Sequence, residues 1–326
     1  MKNINEAYIT RCLELGRLGG NQVLKNPNVG AVIVYNNQII GEGYHEAYGE
    51  PHAEVNAFES VSSEDRHLIK DSTIYVSLEP CCIHGKTPPC TDRIIKEGIK
   101  KVVIATTDPN SKIDGKSIPL LEQEGIKVIS AVKSEEGRVL IAPFSKNLIG
   151  RPYIILKWAQ SSEGYITSKG TQSKLSNPFS DTLTHIWRSE VDGILVGHNT
   201  VRIDNPRLDV RHVSGANPHP VVLSNDTESL RESYIFNQEK EPYVYSNDHP
   251  NEMLSDLFSK GIYRLLVEGG AKTHKYFIEH NLWDEARIIR TKVQLDKGIR
   301  SPRIQGKRYK SLKVASDTID YLRPFD

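Results

Sequence analysis

Residues 77–90 read SLEPCCIHGKTPPC and hold three of the four cysteines in this 326-residue chain. The stretch lies between an apolar run, STIYVSL (72–78), and a helical pattern, TDRIIKEG (91–98). How the thiols are read decides the rest. A disulfide framework suits small secreted domains that lack a sufficient core. This chain is long, and its start, MKNINEAYIT, has no apolar signal-peptide core. A cytoplasmic address is therefore expected, and reducing conditions there direct clustered thiols toward metal binding or catalysis.

The segments around the cysteines alternate between strand and helix patterns. Residues 5–19 place Tyr8, Cys12, Leu15 and Leu18 at helical spacing. VGAVIVY (29–35) and QIIGEGY (38–44), joined at Asn36-Asn37, read as a hairpin with a tight turn. HAEVNAFESV (52–61) reads as a helix, and KVVIATT (101–107) and IKVISAV (126–132) as buried strands. Continuous apolar runs between helices predict an α/β layer fold with a largely parallel sheet.

A chain of this length predicts two domains. Pro152 follows a helical stretch and precedes a new strand, which puts the linker at about 146–151 and the domains at 1–146 and 150–326. The second half predicts strands at 193–197, 220–224, 242–246, 263–270 and 285–291, again with helices between them.

Upstream of the cysteines stands PHAEVNAF, so the combined pattern is His-x-Glu, then Pro-Cys, then Cys90 after eight further residues. Zinc takes thiolate and imidazole ligands, and a catalytic zinc keeps its fourth position for water. His52, Cys81 and Cys90 supply such a set, and Glu54 is left as the proton carrier. Residues two apart face away from each other within a helix, so His52 and Glu54 share a site only at a helix start, which Pro51 suits. Pro88 and Pro89 likewise put Cys90 at a helix start, where a thiolate is favoured. Cys12 reads as core and Cys82 as a packing bystander. A purely structural zinc would recruit Cys82 or His84 and leave Glu54 without a role. The His-x-Glu…Pro-Cys pattern marks zinc deaminases of cytosine or adenine rings. Lys86, in the long gap between the ligands, is placed for a phosphate.

With KNPNVGAVIV and GEGYHEAYGEPHAE, residues 5–145 resemble the deaminase half of the RibD family of bifunctional riboflavin-biosynthesis enzymes. The resemblance implies a cytidine-deaminase-like three-layer domain, one zinc on His52, Cys81 and Cys90, Glu54 as proton shuttle, and substrate contacts at Asn26, His45 and Lys86. Ile83 stands where the family usually has histidine, with His84 one place later.

The second half has neither cysteine nor GxGxxG. VEGGAKTHKYF offers a Gly pair before a helix, a phosphate-cradling arrangement. GHNTVRIDNPRLDVR gathers hydroxyl, amide, carboxylate and arginine groups, and arginine suits bidentate phosphate recognition. To about residue 300 these segments resemble the family's reductase half, which implies a dihydrofolate-reductase-like α/β fold that uses NADPH. By that resemblance Thr200, Asp204 and the turn Gly269, Gly270, Ala271, Lys272, Thr273 contact the cofactor. Arg188, Leu208, Arg211 and Glu268 contact a ribitol-phosphate substrate, and Lys157 and Ser161 line the junction. Glu163 replaces the usual Asp of Ser-Leu-Asp-Gly, and TQSKLS (171–176) lacks the family's tryptophan.

The implied substrates are small phosphorylated pyrimidines, and the implied assembly is a homo-oligomer. A net charge of +1 with no basic block argues against the competing reading, a nucleic-acid deaminase with an accessory binding domain. A deaminase whose second domain no longer reduces is the other competitor. No apolar run reaches membrane-spanning length.

Overall fold

The computed structural model describes residues 4–84, 88–168 and 174–325. The chain divides into two compact units, Met1–Ile149 and Gly150–Asp326.

The first unit opens with α1 (Ile4–Leu18), which buries Ile9, Cys12, Leu13 and Leu15. Cys12 is a core residue. It is fully buried, donates to the Tyr75 carbonyl at 3.3 Å, and has its thiol pushed far up by burial. β1 (Gly30–Tyr35) and β2 (Gln38–Tyr44) form the hairpin. Asn36 and Asn37 turn it at φ 45° and 64°, the left-handed region that a two-residue turn needs and asparagine tolerates. Then come α2 (Ala53–Glu59), β3 (Thr73–Leu78), α3 (Cys90–Lys96), β4 (Lys101–Thr106), α4 (Ser117–Gln123), β5 (Lys127–Ile129), α5 (Ser134–Leu140) and α6 (Ala142–Asn147).

The strand order is β2-β1-β3-β4-β5. β1 runs antiparallel to β2 and β3, whereas β4 runs parallel to β3 and β5, so the sheet is mixed rather than largely parallel. Apolar runs report burial on both faces and say nothing about strand direction. β1 shows this double burial. Its Ala31 and Ile33 join Phe58 of α2 and Ile94 of α3 in one core, and its Val32 and Val34 join Ile9 and Leu13 of α1 in another. Each fully buried Ile or Phe contributes about 1.5–3 kcal/mol, so helices cover both faces. α2 lies so close to β2 that a Cβ on Gly43 would come within 2.3 Å of the Ala57 nitrogen.

The second unit contains β6 (Tyr153–Gln160), β7 (Tyr165–Ser168), α7 (Pro178–Ser189), β8 (Gly193–Gly197), α8 (His198–Asp204), β9 (His219–Leu223) and β10 (Tyr243–Tyr245). It continues with α9 (Pro250–Ser259), β11 (Arg264–Val267), α10 (Ala271–Glu279), β12 (Glu285–Arg290), β13 (Gly298–Arg300), β14 (Lys307–Val314) and β15 (Asp317–Arg323). Its eight-stranded sheet has the order β10-β9-β8-β11-β6-β12-β15-β14. The first six strands are parallel, and β15 and β14 add on antiparallel. β7 pairs with β13 in a separate ribbon. Asn177 caps α7, its side chain accepting the Phe179 and Ser180 amides, with Pro178 at the first helical position. Leu156, Leu195, Leu265, Val267 and Phe277 lie in the core. Among the described residues, no helix is long and apolar enough to cross a membrane.

Candidate active sites

Two helix starts meet at the first site. His52 precedes α2 in extended conformation (φ −71°, ψ 161°), and Cys90 is the first residue of α3. Cys81 lies in the loop after β3. The Nδ1 of His52 is 3.2 Å from Cys90 Sγ and 3.6 Å from Cys81 Sγ, and all three donor atoms fall within 4.8 Å of one another. A tetrahedral ion with bonds of about 2.1–2.3 Å sets its ligand atoms roughly 3.5–3.8 Å apart, so the trio fits zinc. Among the described residues no fourth His, Cys, Asp or Glu joins the group, which favours an open catalytic position over a closed structural one. His84 is exposed and lies 3.8 Å from Asp92 instead, and Cys82 stays outside the group.

The backbone N–H of Cys90 donates to Cys81 Sγ at 3.3 Å. A hydrogen bond from the Cys90 thiol, joined by His52 and this amide, draws the Cys81 thiol well down against the effect of burial. Burial instead raises Glu54, which is almost wholly enclosed, and a raised carboxyl is suited to carry a proton near neutral pH. His45 Nδ1 donates to the Pro51 carbonyl at 3.1 Å, which leaves Nε2 to accept from Asn26 Nδ2 at 3.1 Å. Burial holds this imidazole below its ordinary range. Asn26, His45, His52, Glu54, Cys81 and Ile83 all line one cavity of about 380 Å³. Lys86 lies outside the described residues.

Three residues of this site were not singled out from the sequence. Asp108 and Asn110 line the cavity, and burial raises Asp108 to about 6 although it accepts the Asn110 amide. Buried Glu79 accepts from the Asp108, Gly115 and Ser117 amides and from the Ser117 hydroxyl, pinning their loop. The available signal was DPN just after β4, because ligands of α/β sheets gather at the carboxyl ends of strands.

In the second unit Arg188 grips Glu268 with Nε on Oε1 and Nη2 on Oε2, both at 2.9 Å, and Lys157 Nζ stands 3.6 Å from Oε2. Burial would raise Glu268, but Lys157 and Arg188 outweigh it and hold the carboxyl at about 2. Arg188 also donates to the Asp209 carbonyl, and Arg211 pairs with the Asp209 carboxylate. Two cavities share Lys157. One, of about 270 Å³, is lined by Lys174, His185, Arg188, Arg211 and His212. The other, of about 610 Å³, is lined by Trp158, Thr200, Asp204, Glu268, Gly269, Gly270 and Ala271. Thr200 Oγ1 accepts the Gly270 amide at 3.2 Å. The first amides of α10 follow directly and have no intrahelical partner, an arrangement that fits the phosphates of a dinucleotide.

Four expected contacts are not among the residues lining these two cavities: Ser161, Leu208, Lys272 and Thr273. Leu208 is buried at φ 55°, and Thr273 packs against Gly197 and Gly269. Ser161 donates to Glu163, which also accepts from Ser162 and the Leu295 amide. These bonds hold the exposed Glu163 carboxyl at about 2. Glu163 therefore fastens its turn, through the Leu295 amide, to the loop that leads into β13. Of TQSKLS, Lys174, Leu175 and Ser176 line the larger cavity, and residues 171–173 lie outside the described residues.

Fold and sites together define a bifunctional enzyme, a zinc-dependent deaminase followed by an NADPH-dependent reductase. Residues 2–106 match the cytidine and deoxycytidylate deaminase zinc-binding region, and residues 152–292 match the RibD C-terminal domain. The chain belongs to the RibD family of riboflavin biosynthesis proteins. It is 36% identical to RibD of Aquifex aeolicus, over 89% of this chain and 86% of that protein. It is 34% identical to RibD of Bacillus amyloliquefaciens, over 95% and 90%. Among solved structures, a diaminohydroxyphosphoribosylaminopyrimidine deaminase/5-amino-6-(5-phosphoribosylamino)uracil reductase from Thermotoga maritima superposes with a TM-score of 0.87 at 31% identity, over 99% of both chains. RibD of Acinetobacter baumannii gives 0.83 at 27% identity, again over 99% of both. The first unit is thus cytidine-deaminase-like and the second dihydrofolate-reductase-like, with zinc and NADPH as cofactors.

Proposed function

We propose that the first unit removes the 2-amino group of 2,5-diamino-6-ribosylamino-4(3H)-pyrimidinone 5′-phosphate, and that the second reduces the ribosyl chain of the product to ribityl. The observation that carries this reading is Glu54, buried beside the donor trio in a cavity that also holds Asn26 and His45. One zinc per chain, held by His52, Cys81 and Cys90, would activate the hydrolytic water. Glu54 would relay two protons, the first from the water to the ring nitrogen and the second from the added hydroxyl to the amine, which leaves as ammonia. Asn26 and His45 orient the ring, and Lys86 meets the phosphate.

In the second unit NADPH supplies the hydride. Thr200, Asp204 and the turn 269–273 hold the cofactor. Arg188, Arg211 and Glu268 hold the sugar phosphate, and Lys157 lines the junction between the two. The cationic walls of the smaller cavity support a phosphorylated ligand. A net charge of +1 supports small-molecule partners over nucleic acid. Incubating the protein with the diaminopyrimidinone phosphate, with and without NADPH, tests both steps. Ammonia release followed by NADPH oxidation is the expected result, and ammonia release without any oxidation would overturn the second assignment.

A further inference from the structure

The parallel ladder between β6 and β11 ends at the pair Leu156–Val267. Beyond it the two strands part, and Lys157 lies at the fork. Its carbonyl faces the side that β11 vacates. The Tyr153 amide donates to Tyr263 O on the β11 side, and the Ile154 carbonyl accepts from Asp284 N on the β12 side. Bonding direction alternates along a strand, so residues 153, 155 and 157 address β11. But after Val267 the chain leaves, as Glu268 N bonds Leu195 O on β8 and Gly269-Gly270 turn into α10. β11 therefore ends before it can give the Lys157 carbonyl an amide, and a buried carbonyl requires a donor.

The donor comes from α10. His274 is fully buried, and its Nε2 lies 3.0 Å from Lys157 O. Its Nδ1 lies 3.1 Å from Gly270 O, but that carbonyl already accepts the His274 amide at 3.1 Å. Burial keeps the ring neutral, so it has one proton to give, and the Lys157 carbonyl is the acceptor without another donor from β11. Trp158 packs edge-on against the ring at 5.1 Å and fixes its plane.

We propose that His274 is a positioning residue of the reductase. Its Nε2–H stands in for the missing strand partner of Lys157, locks the fork between β6 and β11, and so aims the Lys157 side chain at Glu268 and the two cavities. The proposal rests on Lys157 lining the reductase junction.

Length distinguishes the two ring nitrogens. Glutamine at 274 carries an amide nitrogen about as far out as Nε2, whereas asparagine reaches only as far as Nδ1. His274→Asn is expected to lower kcat for NADPH oxidation on the deaminated substrate by about tenfold, the worth of roughly one hydrogen bond. NADPH dissociation constant and ammonia release should stay within about twofold. His274→Gln is expected to recover most of kcat. Equal kcat losses in the two variants would overturn the proposal. Nitrogen-15 NMR of histidine-labelled wild-type protein reads the tautomer directly, whether or not a variant folds, and a neutral ring with its proton on Nδ1 would overturn it too. Lys157→Met separates the layers. If reduction survives it, the assignment of Lys157 falls and this proposal with it. If reduction is lost while Asn and Gln behave alike, only the role of His274 falls.

Discussion

Glu54→Gln separates proton transfer from metal holding, because the amide keeps the shape and loses the titrating group. The variant should retain one zinc per chain by metal analysis and lose ammonia release by about a hundredfold or more. Full turnover would remove Glu54 from the mechanism. Arg211→Ala should raise KM for the reductase substrate about tenfold, with ammonia release unchanged, since Arg211 lines the smaller of the two cavities described in the second unit. Glu268 makes a prediction about acid. Its carboxyl is held at about 2, below the ordinary value of 4.5, so its ionised form is favoured in the folded state. That stabilisation is complete above about pH 4.5 and is lost as pH falls toward 2, on the order of 2–4 kcal/mol in all. Acid titration of Glu268→Gln, followed by tryptophan fluorescence, should show a less stable protein at neutral pH and a flatter decline between pH 4.5 and 2. An unchanged slope would mean that Lys157 and Arg188 do not set this carboxyl.

Gly43 decides where α2 sits, and α2 begins just after one metal ligand and carries Glu54. Gly43→Ala would set a methyl within 2.3 Å of the Ala57 nitrogen and 2.6 Å of the Ala53 carbonyl. The helix must then shift, so zinc content and ammonia release should fall together while NADPH oxidation persists. Normal zinc content in this variant would show that the ligands tolerate a displaced α2. The same pairing of strand and helix governs what could be read from sequence. Periodicity exposed α1 and α2, and the Asn36-Asn37 turn exposed the hairpin, because local chemistry dictates each of them. Helix starts at His52 and Cys90 followed from Pro51, Pro88 and Pro89. β14 escaped because it is a mostly exposed edge strand of lysine, arginine and serine with no apolar run. β7 and β13 form a ribbon of short strands that owes its existence to pairing rather than propensity. Glu79 was illegible for another reason, because it acts through amides at 108, 115 and 117 that a linear spacing does not predict, whereas Asp108 and Asn110 had their signal in the DPN after β4.

Across the whole chain the chemistry is divided between two units with separate cores, so metal removal should be selective. Dialysis against a zinc chelator is expected to abolish ammonia release and to leave oxidation of NADPH on the deaminated substrate within about twofold. Loss of both activities would show that the second unit depends on the metal of the first. The spacing of the donors adds a thermodynamic consequence. His52 meets Cys90 across 38 positions of sequence and Cys81 across 29. An ion bound by all three is a reversible cross-link that ties off these loops in the unfolded chain's ensemble. By chain statistics, closing a loop of that length removes entropy worth about 4 kcal/mol, as much as a disulfide would. A protein with no disulfide among its four cysteines thus gains a staple that comes and goes with zinc supply, so metal starvation would loosen the first unit toward proteases as well as stop its chemistry.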